Sequence, residues 1–347
     1  MAFFEARTES RVSVRLLWPL ARLPAFSERL LELCSSFGVP ARDFGKSDVR
    51  VPHRLLLRAL EEGVRATGDP LFGGRAGSSI EPVDFDVVEY AARSKPTLRD
   101  VVSTLSRFFR LLHGGRELEL VDDGREAELR LHVTDGVQQP PAANDFVIAA
   151  TSTFLHRNST PQVRPVRIAF AHTRPAYAAY YDCFGADVVF DAPRDAIVLR
   201  SVDLATPAPW PNADVARAFE REAEKLAETL VANDDVAGHV PGLVARLFDS
   251  GNVTMVEAAR RLGVSVATLR RRIRRHGTTF NEIASDERRK LAERYLSKSS
   301  PSIGEIAFLL GFKNPSAFSR AFKKWRGVSP SEYRLNGTAR GAAFDGH

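Results

Sequence analysis

The sequence contains two copies of one short pattern, Glu257-Ala-Ala-Arg-Arg-Leu-Gly-Val264 and Glu305-Ile-Ala-Phe-Leu-Leu-Gly-Phe312, placed 48 residues apart. The similarity continues beyond each glycine, where Leu269, Arg271, Ile273 and His276 recur as Phe318, Arg320, Phe322 and Trp325. Each copy predicts a short amphipathic helix ended by glycine, then a turn, then a second helix with apolar residues at i, i+4 and i+7. This is the pattern of a helix-turn-helix motif, present twice.

The residue types at the turns support this interpretation. Ala259 and Ala307 lie where two helices would cross closely, because a larger side chain would separate them. Gly263 and Gly311 follow the first helix of each copy, where a left-handed backbone is common and costs glycine little. Ser265 can cap the helix that follows it. The predicted core residues of the second helices are Leu269, Ile273, Phe318, Phe322 and Trp325.

The opposite face of each second helix remains for solvent or DNA. Arginine can bind guanine O6 and N7 with two hydrogen bonds, and small side chains can meet other base edges. The predicted DNA-binding residues are Ala267, Arg270, Arg271 and Arg274 in the first copy and Ser316, Ser319, Arg320 and Lys323 in the second. A single helix of this kind could be a merely solvated charged surface, but the repetition after a second glycine turn argues against that reading.

A predicted helix from Phe280 to Lys298 connects the two copies. About 18 residues at ~1.5 Å each give ~27 Å, which approaches the ~34 Å of one DNA turn. One chain could therefore read two successive segments of the major groove.

The positive charge is concentrated in this part of the chain. Residues Gly251 to Leu335 contain 18 Lys and Arg against 7 Asp and Glu, a balance of +11 within a total of +6, which leaves −5 elsewhere. A local basic segment suits a polyanionic partner, here double-stranded DNA. The same charge would also serve a sequence-neutral architectural DNA-binding protein without an effector, which remains the alternative.

The first two hundred residues predict an α/β (α+β) domain. The strand candidates are Glu117 to Val121, Glu128 to Val133, Val166 to Ala171, Asp187 to Phe190 and Ala196 to Arg200. The helix candidates are Phe26 to Ser36, Val51 to Thr67, Val83 to Ser94, Leu98 to His113, Ala142 to Arg157 and Ala176 to Phe184. Three prolines between Thr206 and Pro211 predict the end of this domain.

We therefore expect four segments: an effector-binding and dimerisation domain at 1–211, a linker helix and the first DNA-domain helix at 212–250, an all-α domain with two helix-turn-helix motifs at 251–335, and a disordered tail at 336–347. The linker helix carries an apolar stripe of Val215, Phe219, Leu226 and Leu230. Ordinary packing explains this stripe better than a coiled-coil seam, because two heptads are too few.

The composition excludes several functional classes. No stretch is long and apolar enough for a signal peptide or a membrane span, so we expect a cytoplasmic protein. Cys34 and Cys183 have no second thiol or histidine at metal-ligand spacing. No phosphate-binding loop or nucleophile elbow occurs with its required flanks, so the sequence predicts no enzyme, no cofactor and no metal.

The basic segment closely resembles the DNA-binding domain of AraC/XylS-type transcriptional regulators. The motifs that carry this resemblance are Ala259 to Gly263 with Ser265, Leu269 and Gly277, and Ile306-Ala-Phe-Leu-Leu-Gly-Phe312, Phe318-Ser-Arg-Ala-Phe-Lys323 and Gly327-Val-Ser-Pro330. The resemblance implies DNA contacts at Ala267, Arg270, Arg271, Ser316, Ser319 and Arg320. It also implies a transcriptional activator that contacts RNA polymerase.

The first domain resembles the arabinose-binding-type sensor domain of one AraC subgroup, which is not a cupin barrel. The residues of this likeness include Val51-Pro, Glu89 to His113, Val166 to His172 and Ala196-Ile-Val-Leu. It implies a small-molecule effector and a homodimer. The candidate effector-binding residues are Phe108, His113, Phe146, Phe154, Phe170, Tyr177 and Tyr181, chosen from a wider set of aromatic and histidine positions that includes His172. Aromatic residues dominate cores as well as pockets, so most of this set is expected to be ordinary core or surface. A fusion to a DNA-repair methyltransferase is excluded, because neither cysteine lies in a Pro-Cys-His-Arg motif.

Overall fold

The computed structural model describes residues 10–44, 46, 49–160, 163–176, 184–233, 236–249, 251–297 and 301–335. The chain forms two compact units, the first consisting mainly of residues up to Val231 and the second of most residues from Ala232 onward. The first unit is α/β and the second is helical, as the sequence predicts. Among the described residues, no helix has both the length and the apolarity that crossing a bilayer requires.

Two sheets organise the first unit. A small antiparallel pair consists of β1 (Arg11–Ser13) and β2 (Arg50–Pro52). The larger sheet contains β3 (Arg116–Asp122), β4 (Glu126–Val133), β5 (Arg167–Ala169), β6 (Asp187–Val189) and β7 (Asp195–Arg200), in the order β3-β4-β7-β5-β6. All neighbours in the larger sheet are antiparallel except β5 and β6. The five predicted strands are thus confirmed, with small differences at their ends.

Seven α-helices precede the proline-rich segment among the described residues. They are α1 (Trp18–Ala21), α2 (Ser27–Ser36), α3 (His53–Thr67), α4 (Phe72–Ser78), α5 (Pro82–Arg93), α6 (Leu98–Leu112) and α7 (Pro141–Arg157). The predicted start of the third helix at Val51 is wrong, because Val51 pairs with Val12 in the small sheet and the helix begins only after Pro52. The predicted helix from Ala176 to Phe184 falls almost entirely outside the described residues, as does Cys183.

The glycine-rich helix α4 has no counterpart in the sequence-based prediction, and its packing explains its composition. Gly73 and Gly77 lie one helical turn apart against α7. A Cβ atom on Gly77 would lie 2.8 Å from the Cβ of Ala149 and 2.9 Å from the backbone nitrogen of Ala150. Non-bonded carbon atoms do not approach so closely, so only glycine allows the two helix backbones to cross here.

The helix α8 (Ala213–Asn233) follows the proline-rich segment and belongs mainly to the first unit. The predicted apolar stripe is only partly correct, because Val215, Leu226 and Leu230 are half-exposed. The fully buried positions are instead Ala216, Ala223 and Ala227, whose small side chains can be covered completely.

Aromatic and ionic contacts hold α8 against the rest of the first unit. The ring of Phe219 stacks on that of Tyr90 at a centroid distance of 5.0 Å. Lys95 Nζ lies 2.7 Å from Glu220 Oε1, and Arg107 of α6 donates to Glu224 Oε1 at 2.6 Å. These contacts make α8 part of the packing of the first unit. The sequence favours this role over a coiled-coil seam, because two heptads are too few for such a seam.

The second unit consists of helices α9 (Val236–Asp249), α10 (Met255–Arg261), α11 (Val266–Arg275), α12 (Phe280–Ser297), α13 (Ile303–Leu309) and α14 (Pro315–Arg326), followed by helical residues 330–335. Helix α12 packs against α9, α13 and α14. The guanidinium of Arg288 lies over the rings of Phe248 and Phe312 at 5.1 and 5.3 Å. Arg326 donates through Nε to Glu293 Oε1 at 2.6 Å and so joins α14 to α12.

The close crossing of α4 and α7 generates a stability prediction. Gly77→Ala should destabilise the first unit, because an overpacked core costs about 1–3 kcal/mol, which outweighs the roughly 1 kcal/mol that alanine gains over glycine in a helix. Thermal and urea unfolding measure the effect. The matched control is Gly304→Ala in α13, where an added Cβ meets nothing closer than 3.8 Å. Equal stability of the Gly77 variant and the native chain would contradict the packing account.

Candidate nucleic-acid interface and a buried polar cluster

The two helix-turn-helix motifs use the same turn. Gly263 and Gly311 have φ angles of +70° and +74°, in the left-handed region. The backbone N–H after each glycine donates five residues back, from Val264 to the carbonyl of Ala259 at 3.0 Å and from Phe312 to that of Ala307 at 2.9 Å. This is the hydrogen bond of a Schellman cap, which ends a helix and turns the chain toward the next one. The predicted glycine turns are thereby confirmed.

Capping and burial fix the two recognition helices, α11 and α14. Ser265 Oγ accepts from the Thr268 N–H at 3.1 Å, as predicted, and Asn314 Oδ1 accepts from the Ala317 N–H at 2.8 Å. The predicted core positions Leu269, Ile273, Phe318 and Phe322 are all buried, whereas Trp325 is half-buried. Ala259 and Ala307 are each 1% exposed, which agrees with their place at the helix crossings.

The other face of each recognition helix is open. Of the eight predicted DNA-binding residues, Ser319 is half-buried and the remaining seven are exposed: Ala267, Arg270, Arg271, Arg274, Ser316, Arg320 and Lys323. The four residues of α11 in this set, with Arg275, line a shallow depression of about 390 Å³. The structure therefore leaves on the surface the side chains that the sequence assigns to DNA.

The exposed arginines of the recognition helices differ from other arginines of the second unit in their ion pairing. Arg289 and Arg326 bind carboxylates, the first at Asp286 and Glu293 and the second at Glu293. Within the described ranges, no carboxylate pairs with Arg270, Arg271 or Arg320. Guanidinium groups without a protein carboxylate remain available to phosphates and base edges. Helix α12, with 18 residues or ~27 Å, separates the two motifs as the sequence predicts.

The cap of the second recognition helix gives a test of the local structure. Asn314→Ala removes the acceptor for the Ala317 N–H and should cost about 1 kcal/mol of stability. Asn314→Ser, which keeps a capping oxygen, should retain most of it. The measurement is thermal unfolding together with helix content from circular dichroism. The capping role would be disproved by an Ala variant as stable as the Ser variant.

The first unit encloses charged and polar groups in its interior. We call the following set, of which Asp135, Gln139 and His172 are half-buried and the others buried, the buried polar cluster: His53, His113, Arg116, Asp135, Gln139, Asn144, Asp145, His172 and Asp195. Arg116 is 1% exposed, His53 is 1% exposed and Asp145 is fully buried. Such groups are rare inside proteins unless they are paired or serve a function.

Two histidines form one side of the cluster. His53 Nδ1 lies 2.6 Å from Asp135 Oδ2, so the Nδ1 proton is donated to the carboxylate. The ring of His113 lies edge-on to that of His53 at 4.6 Å. Burial lowers the pKa of His113 well below its usual range, so this imidazole is neutral at pH 7. A Cβ atom on Gly115 would lie 2.7 Å from His53 Cε1, so glycine is required beside the pair.

Arg116 occupies the centre of the cluster. Its guanidinium donates to Asn144 Oδ1 at 2.5 Å and to Gln139 Oε1 at 3.0 Å, and it lies 3.9 Å from Asp195 Oδ2. Burial lowers the pKa of Arg116 to about 10, which still leaves it charged at pH 7. Burial also raises the pKa of Asp195, whose other oxygen accepts from the Ala171 N–H at 2.8 Å.

Three buried atoms of the cluster have no hydrogen-bond partner among the described residues: His53 Nε2, His113 Nδ1 and Arg116 Nε. A buried polar atom left without a partner costs about 1–3 kcal/mol. Native proteins therefore satisfy such atoms with water or a ligand, or retain them for a function.

The predicted effector-binding residues lie in different surroundings. Phe108, Phe146 and Phe154 lie in the apolar core, and the ring of Phe154 packs against Phe85 at 5.5 Å. His113 belongs to the buried polar cluster, and the ring of Phe170 lies 4.9 Å from that of His172. Tyr177 and Tyr181 lie outside the described residues.

Sequence reasoning selected His113, and His172 within the wider set of aromatic and histidine positions, but missed the other members of the cluster. Two local signals were available. The string His113-Gly-Gly-Arg116 places a histidine and an arginine around two glycines, and Asn144-Asp145 interrupts the apolar helix α7. The contacts of His53 with Asp135 and of Arg116 with Asp195 could not be read from the sequence, because each joins residues that are far apart along the chain.

A sensor-like α/β domain followed by two helix-turn-helix motifs defines a DNA-binding regulator, and comparison with known proteins agrees. Residues 29–208 match the family described as the arabinose-binding domain of AraC transcription regulator, N-terminal. Residues 258–336 match a helix-turn-helix domain family. The chain belongs to the AraC family of transcriptional regulators, in the group with this type of N-terminal domain.

Curated relatives show the same assignment over most of the chain. The ornithine utilization regulator of Pseudomonas aeruginosa is 32% identical over 89% of this chain and 95% of its own length. The transcriptional regulator VirS of Mycobacterium tuberculosis is 25% identical over 82% of this chain and 84% of its own length. The regulator VqsM of Pseudomonas aeruginosa is 32% identical over 76% of this chain and 83% of its own length.

Proposed function

We propose that this regulator reads its operator with Arg270, Arg271 and Arg320, placed in two successive segments of the major groove. The observation that carries the proposal is the pair of capped recognition helices whose exposed arginines have no carboxylate partner among the described residues. Ala267, Ser316 and the half-buried Ser319 complete the base-facing surface. Arg274 and Lys323, near the C-terminal ends of the same helices, serve phosphates.

We further propose that the first unit binds a small-molecule effector and supports a homodimer, and that the complex activates transcription through RNA polymerase. Support for the effector comes from the match to a ligand-binding domain family and from the unpartnered atoms inside this unit. The relative named for ornithine utilization makes amino acids and aliphatic amines the first compounds to test.

The DNA-binding proposal is tested on duplexes selected by the full chain from a random pool. Arg270→Ala and Arg320→Ala should each weaken binding to the selected site by about 1–3 kcal/mol, because each removes a two-hydrogen-bond contact to guanine. Fluorescence anisotropy at a fixed salt concentration measures the change. Arg294→Ala, which removes an exposed charge from α12, is the matched control and should have a small effect.

Binding to a random duplex separates this proposal from a sequence-neutral architectural role. A reader of bases should prefer the selected site by about 10³ or more. The arginine variants should lose most of that preference while keeping their affinity for random DNA within severalfold. If selection enriches no sequence, or if both duplexes lose affinity equally, the architectural alternative is correct.

A further inference from the structure

We propose that Arg288 of α12 is a positioning residue for operator binding, which fixes the distance and rotation between the two recognition helices through its contacts with Phe248 and Phe312. The inference rests on the proposed reading of two successive segments of the major groove. It assigns to one half-buried side chain the geometry that this reading requires. In this role Arg288 acts through the two aromatic rings and does not itself contact DNA.

The guanidinium of Arg288 is held by aromatic rings and, within the part of the chain that the structure describes, by no carboxylate. Its Cζ atom lies 5.1 Å from the ring centroid of Phe248 and 5.3 Å from that of Phe312, within the range of cation–π attraction. The two acidic residues that precede it, Asp286 and Glu287, bind Lys290.

Burial makes these ring contacts important for the placement of Arg288. Desolvation lowers the pKa of its guanidinium, and its Nε has no hydrogen-bond partner among the described residues. A cation that is partly removed from water and lacks an ion pair depends on the groups that remain around it. The position of each ring relative to α12 is therefore tied to Arg288.

Phe248 connects Arg288 to the first helix-turn-helix motif. This residue lies in α9 and is 7% exposed. Helix α9 packs against α12 and also against α11, the first recognition helix. A shift of α9 along α12 would therefore move α11, and the contact between Arg288 and Phe248 opposes that shift.

Phe312 connects Arg288 to the second motif. This residue follows Gly311 in the turn before α14, and its ring lies 5.5 Å from that of Phe318 and 6.2 Å from that of Trp325, both in α14. The contact with Arg288 therefore holds the second recognition helix relative to α12. Since α12 separates the two motifs, one side chain links the supports of both recognition helices.

A direct contact to a phosphate is the alternative role for an arginine of this domain. The side chains proposed to read bases, such as Arg270 and Arg320, are exposed, whereas Arg288 is half-buried against two rings with its Nε shielded from water. This placement favours a role inside the domain. The salt dependence of DNA binding distinguishes the two roles, because a phosphate contact releases counterions.

The dependence of affinity on operator spacing tests the proposal. The full chain selects a duplex from a random pool, and footprinting locates the two segments that it protects. One base pair inserted between them moves one segment by about 3.4 Å and turns it by about 35°. We expect the native chain to bind the longer duplex about 10-fold more weakly, since one recognition helix then loses base contacts.

Arg288→Met keeps an apolar stem and removes the guanidinium. In this variant the penalty for the inserted base pair should fall to about 3-fold or less, because the two motifs are no longer held at one distance. Lys290→Met is the matched control, since it removes an exposed charge of α12 that pairs only within that helix among the described residues. It should retain the native penalty.

The ratio of the two affinities separates positioning from a purely structural role. Loss of folded protein lowers the apparent affinity for both duplexes by the same factor and leaves their ratio unchanged. If Arg288→Met does not fold at all, Phe248→Leu gives the same comparison, because it removes one of the two rings and keeps an apolar side chain. Fluorescence anisotropy at fixed salt measures both affinities.

An unchanged ratio in both variants would overturn the proposal. If the ratio is unchanged while the slope of log affinity against log salt falls by about 1 in Arg288→Met, Arg288 contacts a phosphate. A native chain that prefers its selected site but tolerates the inserted base pair would contradict the two-segment reading and this inference with it. A native penalty that persists in the variants would leave the proposed function intact and overturn only the role of Arg288.

Discussion

Each recognition helix must bury one face and leave the other exposed, and the left-handed glycine before it makes this arrangement possible. With φ angles near +70°, Gly263 and Gly311 end one helix and direct the chain into the next without the clash that a Cβ atom would create. The second helix then packs through Leu269 or Phe318. Its arginines are thereby placed on the opposite, exposed side.

A different constraint shapes the first unit, where charged groups occupy the centre of an apolar core. The glycines of α4 let α7 come close, and α7 in turn carries Asn144 and Asp145. Gly115 similarly leaves room for His53 beside Asp135. These small residues therefore let the backbone and the polar side chains of this domain approach one another closely, as a densely packed interior requires.

Much of the fold followed from local signals. Alternation of buried and exposed residues located β4, where Ala127, Leu129 and Leu131 face the core. Glycine and capping residues located the helix-turn-helix motifs. The prediction failed where a pairing partner was distant, as at Val51, which joins Val12 in a strand rather than starting a helix. It also failed for α4, because three glycines in seven residues oppose a helix unless close packing requires them.

The sequence by itself determined the class of protein and the exposed face of each recognition helix, because glycine turn, cap and charged residues lie within about ten residues of one another in each copy of the repeat. Only the tertiary structure decided which buried groups share a site, since His53, Arg116 and Asp195 are brought together from α3, β3 and β7. It also decided that the buried stripe of α8 is alanine rather than leucine. The members of the cluster and the buried face of α8 both depend on which residues pack against them in space. The periodicity of a single segment carries no information about those neighbours.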